Sequence, residues 1–498
     1  MRRLKHALRT CTIFLLWVEM PAVLPAQTYN TLYSFCSEAN CADGAAPEAV
    51  LVQGTDGNLY ATTVNGGTNG YGTVFKISPA GQLTPLDLFN GTDGDQPFGG
   101  LVQATSGSFY GITRYGGDVA NCNAPMGCGT VFKMSPSGGL KALHVFSGSD
   151  GEQGLSTLVQ ATNGYFYGTA SNGGDIVNCN APFGCGTIFK ISPNGTLTTL
   201  QSLEYTNGAY PYAGMIQATN GMLYGTMQYG GVNGYGTVYE ITPSGTLTTL
   251  YNFCSQANCT DGAIVLGGLV QATNGYFYGT TWAGGTSGGC APWGCGTVFR
   301  ISPAGHLTTL YDFCSQANCT DGAHPYVALV QGTDGNLYGT TTAGGANINM
   351  SCNGNNGCGT VFKITPGGKL TTLYRFAGYP TDGAQPQAGL VQDTNGAFYG
   401  TTQLGGANNA GTVFSVSVGL GPFVVTERTS GAVGAAVNIL GTDLTGATSV
   451  TFNGTPATFT VVSASLITTT VPTGATTGKV EVTTPSGTLS SNVPFRVP

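Results

Sequence analysis

The residues of this chain best suited to chemistry are its cysteines, and they come in pairs. Three pairs flank one kind of loop: Cys36 with Cys41, Cys254 with Cys259, and Cys314 with Cys319. Four lie in a second kind: Cys122 with Cys128, Cys179 with Cys185, Cys290 with Cys295, and Cys352 with Cys358. Where a repeat lacks one member of a pair it lacks the other as well. Zinc needs four ligands, and spacings of five and six suit it poorly. Beyond the N-terminal segment the histidines are His144, His306 and His324, each at a different repeat position. Seven local disulfides are therefore expected, and with them an oxidising compartment.

A second candidate is the acid in each repeat-to-repeat loop: Asp43, Asp93, Asp150, Asn207, Asp261, Asp321 and Asp382, each followed by glycine. Carboxylates gathered on one face could hold calcium. Alternatively the side chain bonds its own backbone in a turn. The asparagine at one copy and the lack of an Asp-x-Asp-x-Asp spacing favour the turn, so no cofactor is expected. A position held by Lys76, Lys133, Lys190, Glu240, Arg300, Lys363 and Ser415 offers a broken cationic ring, better read as a solvated strand position. The tyrosine shared by every copy (Tyr60, Tyr110, Tyr167, Tyr224, Tyr278, Tyr338 and Tyr399) is expected to pack neighbouring repeats together.

A site should instead break the repeat symmetry. The position before the long loop reads Val64, Arg114, Ser171, Gln228, Trp282, Thr342 and Gln403, and the next position adds Tyr115 and Tyr229. Trp293 lies in the loop that follows Trp282. The ligand-binding candidates are accordingly Trp282, Trp293, Tyr115, Tyr229 and Arg114, which could stack on a sugar or hold a partner side chain. The competing reading is a loop pinned by its own aromatics. No nucleophile elbow and no His-Glu-x-x-His occurs. Glu48, Asp118, Asp175 and Glu204 are scattered, which leaves a carboxylate pair open.

These residues must be positioned by repeats. A phrase of Leu-Val-Gln, a turn, an aromatic and Gly-Thr begins at Leu51, Leu101, Leu158, Met215, Leu269, Leu329 and Leu390. Seven copies at such a period mean a solenoid or a propeller. In the fifth copy four strands are predicted, at 268–273, 276–282, 296–302 and 306–313, with Asn274-Gly275 as a tight hairpin. Four antiparallel strands make a propeller blade, whereas a β-helix would need parallel coils. The seventh copy lacks its last strand, and Thr31–Phe35 carries the missing phrase. The expected architecture is all-β: a seven-bladed β-propeller over residues 27–418, closed by the N-terminal strand, then a small immunoglobulin-like β-sandwich over 419–498. The first and third connections of each blade are tight, and the others are long and hold every cysteine pair. One face is thus smooth and the other stapled, and the stapled face is the expected binding face.

The bulk numbers agree. Glycine counts 80 of 498 residues, yet 41% of residues are hydrophobic and 8% charged, so a core can form. Arg2, Arg3, Lys5 and Arg9 precede an apolar stretch from Cys11 to Leu24, which reads as a signal peptide over residues 1–26. The mature chain then carries 12 cations and 22 acids. That balance argues against nucleic acid and anionic membrane as partners. A monomer is expected, secreted or at the cell surface, without membrane insertion after cleavage.

Tyr-Gly-Thr-Thr, Gly-Gly and Gly-Thr-Val-Phe in order, over residues 45–418, resemble the GloVer (Gloeo/Verruco-type) tandem repeats of bacterial secreted proteins. That family implies no catalytic residues. Val450–Pro456 and Gly478–Gly487 resemble IPT/TIG domains, the immunoglobulin-like modules of surface receptors and extracellular enzymes. The expected function is non-catalytic binding or scaffolding, for a glycan or a surface protein. The alternatives are a structural spacer or an enzyme acting on polysaccharide.

Overall fold

The computed structural model describes residues 27–498 apart from 121, 123–124, 178, 180–182, 346–351 and 353–356. The expected signal peptide lies outside the described residues. Among those described there is no α-helix, only short 3₁₀ turns.

Seven antiparallel four-stranded sheets fill the chain up to Ser417 and resemble propeller blades. In the fifth, Val270–Gln271, Phe277–Thr281, Thr297–Ile301 and Leu307–Asp312 follow in order. These strands are shorter than the sequence suggests, because the glycines and turn residues at each end leave the ladder. The second strand of the fifth sheet is wholly buried, the third is buried except at Arg300, and the fourth is half-exposed at the outer edge. The seventh sheet is built differently. Its outer strand is Thr28–Ser34, which pairs antiparallel with Thr412–Ser417. The chain's first strand thus supplies the edge that its last repeat lacks.

Neighbouring sheets are joined by two devices. The shared tyrosine stacks on the phenylalanine of the next sheet, as in Tyr60–Phe109, Tyr110–Phe166 and Tyr338–Phe398, with ring centroids 4.0 to 4.2 Å apart. The glutamine of each Leu-Val-Gln phrase is the second. Its Oε1 accepts the backbone N–H of a threonine in the preceding sheet: Thr55 to Gln103, Thr105 to Gln160, Thr162 to Gln217, Thr219 to Gln271, Thr273 to Gln331, Thr333 to Gln392, and Thr394 to Gln53. The last of these joins the seventh sheet to the first. A hydrophobic cluster does the same, packing Leu51, Leu59 and Phe75 with Tyr399, Val413 and Phe35.

The seven expected disulfides are formed, each with the neighbour that the sequence pairs it with. In the loops between sheets, Cys36 is bonded to Cys41, Cys254 to Cys259, and Cys314 to Cys319. In the long loops within sheets, Cys122 is bonded to Cys128, Cys179 to Cys185, Cys290 to Cys295, and Cys352 to Cys358. The second set is the more deeply seated: Cys128, Cys185, Cys295 and Cys358 are all buried, whereas Cys36 and Cys41 are half-buried. The reason is position. Each of those four buried cysteines stands two residues before a third strand and so enters the core with it, as Cys295 does before Thr297.

The loop aspartates act as turn organisers. Asp261 Oδ2 accepts from the Tyr251 hydroxyl and from the Ser255 N–H and hydroxyl, and Oδ1 accepts from the Gln256 N–H. Asp43 and Asp321 repeat this set. At the end of the second sheet His144 takes the tyrosine's place against Asp150, at 2.8 Å. Glycine must follow because Gly262 has φ +102° and a Cβ there would lie 2.5 Å from Thr281.

After Val418 two four-stranded sheets face each other across a core of Val437, Ile439, Val450, Phe452, Ile467, Val480, Val482 and Phe495. Ser449–Phe452, Asn453-Gly454 and Ala457–Phe459 read as one hairpin in the sequence, and the structure breaks it in two. Ser449–Phe452 pairs with Thr455–Pro456, after which the chain crosses over and Phe459–Val461 pairs in the other sheet. Pro456 lacks the N–H to continue the ladder. Val493–Val497, which reads as a strand in the sequence, forms isolated bridges at Phe495 and Arg496.

Candidate functional site

The stapled loops share one end of the sheets, and a repeated backbone device shapes that end. Ala46, Gln96, Gln153, Tyr210, Ile264, His324 and Gln385 all adopt φ between 52° and 57°. Non-glycine residues seldom hold this conformation, least of all a β-branched one such as Ile264. Two hydrogen bonds hold each in place. Its N–H donates to a carbonyl of the preceding sheet (Ile264 to Tyr235, His324 to Cys295, Ala46 to Ala410), and its C=O accepts from its own sheet (Trp282 to Ile264, Gln403 to Gln385, Arg114 to Gln96). The accepted N–H comes from the symmetry-breaking position of the sequence, so Val64, Arg114, Ser171, Gln228, Trp282, Thr342 and Gln403 occupy equivalent places.

Two residues further along the chain, a second set of equivalent residues lines a cavity of about 380 Å³. It comprises Glu48, Phe98, Leu155, Tyr212, Leu266, Tyr326 and Gln387. Small residues also line the cavity, Gly100, Gly214, Gly268, Gly389 and Ala328, together with Val159, Ile216 and Val330. The walls are apolar and aromatic, with few polar groups, the usual composition of a small-molecule site.

Those polar groups form a short chain. Gln387 Nε2 donates to Gln403 Oε1 at 2.7 Å, and Gln403 Nε2 donates to Glu48 Oε1 at 2.8 Å. Across from them Tyr326 donates its hydroxyl proton to the Tyr212 oxygen at 2.7 Å. Glu48 is 8% exposed, and its other oxygen, Oε2, has no hydrogen-bond partner. Burial pushes its carboxyl up to about 7, offset in part by Gln403 and the nearby positive charge of Arg114. Arg114 makes no ion pair with it. Its guanidinium instead sits 4.7 Å from the Tyr115 ring and 5.6 Å from the Phe98 ring, and its Nε is buried without a partner.

The structure therefore brings Arg114 and Tyr115 to the rim beside Glu48. Trp282 also lies at this end, stacked on His324 with centroids 4.5 Å apart. Burial lowers the His324 pKa, and its Nδ1 lies 3.0 Å from the Trp282 carbonyl. Tyr229 packs edge-on to Tyr210 and joins Trp282, Tyr212 and Tyr326 around a cluster of Ile264 and Leu266. Trp293 stands apart, 56% exposed on its loop. Sequence reasoning missed Phe98, Tyr212, Tyr326 and Gln387 altogether, and it gave Glu48 and Gln403 no binding role. The signal that would have found this set is the third position before each Leu-Val-Gln phrase, which varies as much as the position that was singled out.

One cysteine cluster invites a metal reading: the Sγ atoms of Cys290, Cys295 and Cys314 lie within 4.8 Å of one another. These sulfurs belong to two abutting disulfides, Cys290–Cys295 and Cys314–Cys319, so no thiolate is present to ligate. No helix among the described residues is long and apolar enough to cross a membrane.

Repeated four-stranded sheets around a rimmed cavity, followed by a small sandwich, define a tandem-repeat all-β protein. The chain belongs to the Gloeobacter/Verrucomicrobia repeat family, whose model matches residues 22–182 and 176–351, and it ends in an IPT/TIG domain matched over 424–497. No curated protein matched the chain. Among solved structures it is similar to a fungal alcohol oxidase of the AA5 family in complex with copper (12% identity, TM-score 0.49, 91% of this chain and 96% of that one). It is also similar to a putative gluconolactonase (11%, 0.41, 80% and 94%) and to a gluconolactonase from Xanthomonas campestris (12%, 0.37, 79% and 90%). Likenesses at these scores carry no conclusion about activity.

Proposed function

We propose that the seven sheets form a closed seven-bladed β-propeller over residues 27–418, with the immunoglobulin-like domain over 419–498. On this reading the chain is a secreted or cell-surface binding protein. Its ligand, a glycan or a surface protein, is taken at the disulfide-stapled mouth. Seven disulfides suit an extracellular environment. The circle of threonine-to-glutamine bonds, ending in Thr394 to Gln53, supports closure.

The observation that carries the functional reading is the cavity at the mouth, with a carboxylate oxygen of Glu48 buried and unanswered inside it. A native structure seldom leaves such a group without a partner unless something else supplies one. Binding is favoured over glycoside hydrolysis because Glu48 is the one carboxylate among the described residues lining the cavity, and hydrolysis calls for two.

The test compares wild type with Arg114→Ala and Trp282→Ala for retention on cell surfaces and on glycan arrays. The mouth variants should lose tenfold or more in affinity. Lys190→Ala, at the opposite end beside the Asn163-Gly164 turn, should not. Mouth variants that bind as wild type would refute the reading.

A further inference from the structure

Among the described residues, hydrogen bonds join the C-terminal domain to the sheets at three places, all on tight hairpin turns at the end away from the disulfides. Ser465 Oγ donates to the Thr55 carbonyl of the first sheet at 2.8 Å. The Phe423 N–H donates to the Thr394 carbonyl of the seventh at 2.9 Å, and the Thr394 and Thr442 hydroxyls are 2.9 Å apart. Arg496 donates to the Thr219 carbonyl of the fourth sheet. In a ring of seven, the fourth sheet lies opposite the junction of the seventh and first. Leu466–Thr470 begins beside Ser465 and continues to Val471, whose carbonyl accepts from Gly434 in the segment that also bonds Arg496 through Gly431. The domain thus lies lengthwise across the smooth end.

We infer that the axial cavity is a well open only at the stapled mouth and floored by the immunoglobulin-like domain, and that it takes the terminal residue of an uncharged glycan end-on. This rests on the binding reading above and names its ligand.

Three features select that ligand. The first is shape: a polymer cannot thread an axis whose far end is covered, so a chain end must enter. The second is charge. No lysine, arginine or histidine among the described residues lines the cavity, so an anionic group finds no counter-charge there. Burial favours the neutral form of Glu48, the one acid in the lining, over an ion pair with a cation. The third is the mixture of groups. Glu48 Oε2 is a free acceptor, the Gln387 amide and the tyrosine hydroxyls both donate and accept, and Phe98, Tyr212 and Tyr326 offer ring faces. Hydroxyls alternating with C–H faces on a pyranose match that set. A volume of about 380 Å³ has room for such a ring.

The space itself can be tested without disturbing the polar chain. Gly389 lines the cavity, and a Cβ there would meet its nearest atom, the Ala328 carbonyl oxygen, at 3.4 Å. Its equivalent in the first repeat is Val50, so Gly389→Val should fold and narrow the well.

The experiment uses the whole chain with its C-terminal domain in place. It is applied to an array of neutral and anionic oligosaccharides printed through their reducing ends, followed by titration with a linear neutral oligosaccharide and with a cyclic one that has no ends. The expected result is binding of neutral glycans that depends on the terminal residue, with the linear form at least tenfold tighter than the cyclic. Gly389→Val and Glu48→Gln should each cost tenfold or more, with melting behaviour unchanged for Gly389→Val. Absence of any neutral glycan retained, preference for anionic glycans, equal affinity for the cyclic form, or insensitivity to both variants would each overturn the proposal. If the glycans fail while Arg114→Ala still weakens cell-surface retention, the well proposal falls and the binding reading stands with a protein partner.

Discussion

Glu48 shows how much one residue can be asked to carry. Arg114, Tyr212 and Tyr326 are the titratable or charged groups around it, and none neutralises it directly. Its folded pKa lies at about 7, above the ordinary value of 4.5. The folded state therefore binds more protons than the unfolded state between those values, and stability falls as pH rises through that window. Glu48→Gln removes that loss. It should stabilise the chain by about 1–3 kcal/mol at pH 8 and by little at pH 5, read by chemical denaturation at both values. An equal effect at the two pH values would mean the carboxyl is not desolvated. The loop aspartates make the opposite case. Asp261 is fully buried with its lone pairs used by four donors, so Asp261→Ala should cost about 2–4 kcal/mol, checked by its melting midpoint. Because backbone and hydroxyl donors occupy those oxygens, a chelator should leave the wild-type midpoint unchanged.

At the scale of elements, the N-terminal strand matters most. Thr28–Ser34 pairs along the full length of Thr412–Ser417, and Phe35 behind it is wholly buried against Phe75. Deleting residues 27–35 would leave an unpaired edge and an open core. Such a chain should melt at least 10 °C lower and aggregate, as followed by circular dichroism and light scattering. The disulfides work more locally. Each joins cysteines five or six residues apart, so the entropic gain is about 2 kcal/mol apiece. Cys254→Ser with Cys259→Ser should lower stability by about that amount and leave the β-sheet spectrum intact, because the strands themselves contain no cysteine.

At the scale of the whole molecule, the C-terminal domain is held by few polar bonds on hairpin turns. Ser465→Ala combined with Arg496→Ala should loosen it, separating two melting transitions in calorimetry and raising the radius of gyration in solution scattering. A single unchanged transition would show that docking rests on other contacts. Much of this protein is legible in its residues alone. Repetition states the same instruction seven times, so the strands, the tight Asn-Gly turns, the cysteine pairing and the borrowed first strand all follow from local chemistry read in parallel. The sandwich is less legible, since a single copy offers no such averaging and a proline redirects its hairpin. The mouth is half legible. Arg114, Tyr115 and Trp282 break the symmetry visibly, but Glu48 looks like one scattered acid among several. What places it is a repeated left-handed residue, Ala46 in this repeat, held by bonds from two sheets at once, and a neighbour, Gln403, that lies 355 positions away in the chain. Sequence alone determines what every repeat shares, because each copy must satisfy the same backbone. Only the tertiary structure decides which unshared side chains line the cavity, because that depends on contacts between repeats far apart in the chain.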